Sequence, residues 1–199
     1  MKQAAVGFRV HSGWSALVAV SLENEAPTVL SRERVHLVET FIYKFRQPYH
    51  TAERMPLEKA RAFIDGVLVE SKRLATRALR SIQTDLGKQG YRVERCALLL
   101  ASGKTLPTLD RILLSHALIH TADGELFRES LRGAFAQCGL EMTCIKDREL
   151  LDRGGQILRT NREKLLKRLT ELGRALGSPW TQDEKYAALA AWLVLADPA

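Results

Sequence analysis

At 199 residues, with 46% hydrophobic and 27% charged side chains, the chain has the size and composition of one globular domain, which excludes a disordered chain, a collagen-like fibre and a disulfide mini-scaffold. A chain of this length buries about 70% of its unfolded surface, so folding requires no metal or disulfide. The excess of 30 Lys and Arg over 23 Asp and Glu, a net +7, suits contact with nucleic acid, anionic lipid or a phosphorylated ligand.

Val6, Phe8 and Val10 alternate with Gly7 and Arg9, His11-Ser12-Gly13 makes a turn, and residues 14–20 return with the same two-residue period, which predicts a hairpin. Asn24 to Pro27 supplies a second turn. Residues 28–38, β-branched but carrying Arg32, Glu33 and Arg34, read as an exposed edge strand. Residues 39–55 read as irregular. Pro56 then opens one long helix, marked by Leu57, Ala60, Ile64, Val67, Leu74, Ala78, Ile82 and Leu86 and closed at Gly87. It spans about 45 Å. Such a helix either protrudes, pairs with a second copy in a homodimer, or bends near Gly66 as a core helix.

Residues 91–101 end in a continuous apolar run, which suits a central strand covered on both faces. A helix over 108–119 follows, then a second over 122–138 with Thr121 as its cap and Gly139 as its stop, and a strand over 140–146. Two helices complete the chain, one over 161–174 and one opened by the capping box Thr181-Gln182-Asp183-Glu184.

Charge is uneven. Residues 71–95 carry seven bases against two acids, and 148–168 seven against three; each stretch is either a solvated helix face or part of a phosphate-binding surface. Cys96, Cys138 and Cys144 form no CxxC pair and read as buried thiols. The N-terminus lacks the apolar stretch of a signal peptide, and the run from Ala187 to Ala196 falls short of the roughly 20 residues of a membrane helix, so a cytoplasmic protein without a membrane partner is expected.

The richest polar cluster is His116, His120, Asp123, Glu125 and Arg128. His116 and His120, at i and i+4, share a helix face and could bind a metal, but HExxH is absent, and no metal or cofactor is assigned. Either the histidines cap helix ends, or His116, His120 and Glu125 form an acid–base site. Residues 41–50 interleave aromatics with bases, as a single-strand binder or an amphipathic edge strand would. Arg9, Ser12, Ser102 and Lys104 are expected to gather at one end of the sheet, where open α/β sheets place ligands, with His50 and Arg128 as further anion-binding candidates.

Three strands, helix, strand, helix, strand, helix is an element order that resembles the ribonuclease H-like superfamily, and within it the RuvC-like Holliday-junction resolvases. It implies an α/β fold with a five-stranded mixed sheet flanked by helices. FRQPYHTAE at 45–53 and SHALIHTADGELFRE at 115–129 also look like segments of an uncharacterised family of bacterial proteins. The resemblance implies carboxylates on the first strand, the central strand and the last helix, holding two divalent ions at a scissile phosphate. Here the first falls on Arg9, the second on Ala101 or Ser102, and the last pair on Asp183 and Tyr186. His11-Ser12-Gly13-Trp14 also resembles, weakly, the phosphate-receiving turn of actin-like ATPases. The expected function is therefore that of a catalytically altered relative binding an anionic partner such as nucleic acid. The alternatives are a hydrolase or transferase of small molecules using His116 or His120, and a dimeric scaffold without catalysis.

Overall fold

The computed structural model describes residues 1–101 and 105–197. Strands β1 (Lys2–His11), β2 (Trp14–Glu23), β3 (Ala26–His36), β4 (Tyr91–Leu100) and β5 (Glu141–Lys146) form one mixed sheet in the order β3-β2-β1-β4-β5. The first three are antiparallel neighbours; β4 and β5 run parallel to β1. The turn between β2 and β3 has two residues, and both Asn24 (φ 51°) and Glu25 (φ 65°) take the left-handed backbone that a tight hairpin demands. β3 lies at an edge, as its charges suggest, whereas the middle strand is β1, not β4 as the apolar run implied. Both are interior strands buried on two faces, so hydrophobicity alone does not separate them.

Alternation along these strands builds two cores. Val6, Phe8, Leu17, Ala19, Cys96 and Leu98 face a layer made by the long helix α3 (Leu57–Lys88) and by α5 (His116–Gln137). Ala5, Val18, Val20, Ala97 and Leu99 face α6 (Leu150–Ile157), α7 (Arg162–Leu172) and α8 (Gln182–Ala196). α8 comes unusually close because small residues meet: a Cβ at Gly7 would stand 1.9 Å from the Ala187 carbonyl oxygen. The two-residue period carries Arg9 to the same face, beneath the first turn of α8.

α3 runs unbroken through Gly66 and buries residues from Ala60 to Leu86. Residues 39–55, expected to be irregular, contain two short helices, α1 (Tyr43–Arg46) and α2 (Pro48–Ala52), each too short for a periodic signal and held by tertiary contacts. The helices expected over 108–119 and 122–138 divide differently: α4 (Leu109–Leu113) ends early, and α5 begins at His116 after Ser115. Thr121 is therefore inside α5, where its hydroxyl donates to the Ala117 carbonyl at 3.0 Å instead of capping. α6 falls within the basic stretch 148–168, one of whose two expected forms is a helix face.

The capping box at α8 is formed. Asp183 N–H donates to Thr181 Oγ1 at 3.2 Å, and Thr181 N–H donates to Glu184 Oε2 at 2.7 Å. Thr181→Ala is expected to cost about 1 kcal/mol, read from urea unfolding. Among the described residues no helix is long and apolar enough to cross a membrane. Of the cysteines Cys96 is buried, Cys138 half-buried and Cys144 exposed, so burial of all three does not hold. β5 is an edge strand and leaves Cys144 open to solvent.

Candidate functional site

The C-terminal ends of the parallel strands place Arg9 of β1 beside Asp147, the residue after β5, and Asp183 of α8. Arg9 Nε and Nη2 both lie 3.0 Å from Asp147 Oδ2, and Nη1 lies 2.7 Å from Asp183 Oδ1. His11 Nε2 contacts that same Asp183 oxygen at 2.8 Å. The guanidinium carbon also stands 5.0 Å from the centre of the Tyr186 ring. One cation thus ties together two carboxylates from separate elements, each side chain a third exposed or less.

Next to this bridge, the β1–β2 turn, β3 and the segment from Phe41 into α1 together form a ladder of rings and cations. His11 stacks on Trp14 with centroids 4.4 Å apart and planes 12° from parallel. Arg34 covers Trp14 at 3.9 Å, and Arg46 lies 4.3 Å from the centre of Phe41, which is 40% exposed. Cation and quadrupole attract in each pair, holding flat surfaces that remain partly open to solvent. A cavity of about 410 Å³ opens beside it, lined by Trp14, Arg32, Arg34, Thr181, Asp183 and Glu184 among others.

A second constellation sits where α2 packs on the start of α5. His116, His120 and Asp123 occur at i, i+4 and i+7 on one face of α5. Asp123, only 3% exposed, accepts the Tyr49 N–H at 2.7 Å through Oδ1 and pairs through Oδ2 with Nδ1 of His50. Burial pushes the Asp123 carboxyl above the usual carboxylate range, against the opposing pull of His50 and the Tyr49 amide. His50 lies with its ring centre 4.4 Å from that of His120 and 5.3 Å from that of His116. The Nε2 atoms of His116 and His120 are 3.1 Å apart, and both residues are exposed.

Of the residues singled out in the sequence, His116 and His120 meet each other and His50, which had been grouped with the anion binders. Glu125 belongs elsewhere: it pairs with Arg132 at 2.7 Å and Arg128 at 3.6 Å. Arg128 also donates to the Leu99 carbonyl at 3.3 Å, and burial pulls its guanidinium below the usual range. Arg9 is thus engaged by the protein's own carboxylates, while Arg128 commits its Nε to a backbone carbonyl. Ser12 lies in the β1–β2 turn beside His11; Ser102 and Lys104 lie outside the described residues. The two basic stretches lie mostly apart, because α3 and α7 occupy opposite helical layers, and they meet where Arg95 of β4 and Arg153 of α6 line one small cavity. Residues 41–50, expected as an edge strand if structural, form α1, α2 and their approach, leaving Tyr43 59% exposed.

The sequence reading missed Asp147 and Asp123 as partners of Arg9 and His50. Asp147 carried a usable signal, an acid placed directly after a parallel strand. The union of His50 with α5 carried none, since His116 lies 66 positions further along the chain.

No protein-family model matches the chain, and no curated protein is similar to it in sequence. Solved structures do resemble it. Thermus thermophilus RuvC in complex with a Holliday-junction substrate aligns over 98% of this chain and 93% of its own, with a TM-score of 0.56 and 11% identity. A further Thermus thermophilus RuvC structure aligns over 97% and 93%, with a TM-score of 0.52 and 11% identity. The fold is ribonuclease H-like, of RuvC-like topology.

Proposed function

We propose that this chain binds nucleic acid at the C-terminal end of its sheet and does not cut it by a carboxylate-held two-metal mechanism. The observation that carries the reading is Arg9, whose guanidinium spans Asp147 and Asp183. Two divalent ions between carboxylates would stabilise attacking and leaving oxygens at a phosphate; a fixed cation in their place repels such ions. It also neutralises acids that would otherwise repel a phosphate backbone.

The ladder beside it supplies the binding chemistry. Arg34 and Arg46, held over Trp14 and Phe41, offer charge for phosphates and guanidinium planes on which bases can stack, a combination of cation and flat surface used by sequence-tolerant binders. One structurally similar RuvC holds a Holliday junction, which makes branched DNA the first ligand to try.

Fluorescence anisotropy with junction, duplex and single-stranded oligonucleotides tests the reading. Affinity is expected to fall with salt, at a log–log slope of about 0.9 per phosphate contacted on duplex and about 0.7 on single strands. Arg34→Glu is expected to weaken binding about tenfold or more, the loss of one stacked, charged contact. Titrations that stay flat at low salt, or cleavage of the junction on adding Mg²⁺ or Mn²⁺, would overturn the proposal.

A further inference from the structure

Independently of that reading, the geometry points to a transition-metal site of the zinc type, formed by His50, His116 and His120 with Asp123 behind it. Among the described residues these three histidines are the group whose ligand atoms all lie within 4.8 Å of one another. Ligand nitrogens at about 2.0–2.1 Å from a tetrahedral zinc stand about 3.3 Å apart. The Nε2 atoms of His116 and His120 are already at 3.1 Å. Little movement is needed to seat an ion between them.

The outer contacts favour an ion over a mere cluster of rings. Asp123 accepts from Nδ1 of His50, which fixes the tautomer and leaves the Nε2 lone pair free to donate to a metal. The same carboxylate takes the Tyr49 N–H at 2.7 Å, so the backbone that carries His50 is held in place as well. A carboxylate–histidine pair is the usual second layer of zinc sites, and here Asp123 is buried and the His50 side chain nearly so, while His116 and His120 face solvent. The three imidazoles pack edge to face with ring centres 4.4–5.3 Å apart. Three neutral imidazoles suit zinc and its neighbours better than magnesium or calcium, which prefer oxygen.

Three protein ligands leave a fourth position for water or an anionic oxygen, the arrangement of open zinc sites. The site also stands at the sheet end that bears Arg9. Arg128 of α5 donates to the Leu99 carbonyl near the end of β4, and His116 lies twelve residues N-terminal of it on the same helix, about 18 Å along the helix axis.

The test is a titration of Zn²⁺, and separately Co²⁺, into the full chain freed of metal by chelator and dialysis, followed by calorimetry and by the visible absorption of tetrahedral Co²⁺. One ion per chain is expected, with tetrahedral cobalt bands. His116→Ala and His120→Ala alter exposed side chains, so each should fold as wild type by circular dichroism yet lose the bands. Asp123→Asn, which keeps an oxygen for Tyr49, is expected to weaken zinc by about 10–100-fold. Cys144→Ser should change nothing. The inference fails if no ion binds, if the His120→Ala affinity equals that of wild type, or if Cys144→Ser abolishes binding.

Discussion

Replacing Arg9 by methionine is expected to destabilise the fold by about 2 kcal/mol at neutral pH, although the side chain keeps most of its apolar length. The loss comes from what remains: Asp147 and Asp183, each less than a third exposed, would face one another with His11 against Asp183 and the more distant Arg128 on the side of Asp147 to offset them. Breaking a buried pair by removing one partner costs about 3–5 kcal/mol, and the residual solvent access here justifies the lower figure. If repulsion is the cause, then Asp147→Asn and Asp183→Asn introduced into the Arg9→Met chain should restore much of the loss. A double-mutant cycle by urea denaturation measures that coupling. Arg9→Asp separates the electrostatic role from the packing role. Three carboxylates would then converge, so the variant should be less stable than Arg9→Met without metal and regain stability with Mn²⁺ more than wild type does. If Arg9→Met is as stable as wild type, the carboxylates can part freely, and the guanidinium does not organise this end of the sheet.

The legibility of this arrangement from sequence was uneven for physical reasons. Strands β1 to β3 show a two-residue period because each meets a helical layer with every second side chain, and their turns need residues tolerant of left-handed backbone, such as Asn24. α3 and α8 announce themselves by periodicity and by the Thr181–Glu184 box. Arg9 stood out because the resemblance to ribonuclease H-like proteins puts a carboxylate at its position, and a cation there reverses the charge. The identity of one partner, Asp183, could be expected from topology, since the last helix packs on the first strand. α1 and α2 could not be read, because segments of four and five residues hold their shape only through contacts with α3 and α5. The histidine cluster depends on that same docking and was visible only in half, as the pair on α5.

Asp123→Ala is expected to cost about 3 kcal/mol, a larger effect than its position on a single helix would suggest. Its carboxylate, 3% exposed, is the acceptor for two donors on α2: the Tyr49 N–H at 2.7 Å and Nδ1 of His50. Alanine would leave both without a partner in a site closed to water, at about 1–3 kcal/mol for each orphaned group, partly relieved because ionising the buried acid is itself costly. The release should also be local. α2 has five residues and buries only Pro48 and Ala52, so without the Asp123 contacts it should open well before the sheet does. Hydrogen exchange at the Tyr49 amide is therefore expected to accelerate in Asp123→Ala, while amides of β1 and β4 slow or quicken only with global stability. Asp123→Asn, whose oxygen can still take the Tyr49 N–H, should retain most of that protection and lose chiefly the His50 contact. Should the Tyr49 amide exchange as slowly in Asp123→Ala as in wild type, α2 is held by its apolar contacts alone, and Asp123 serves only to orient the His50 ring.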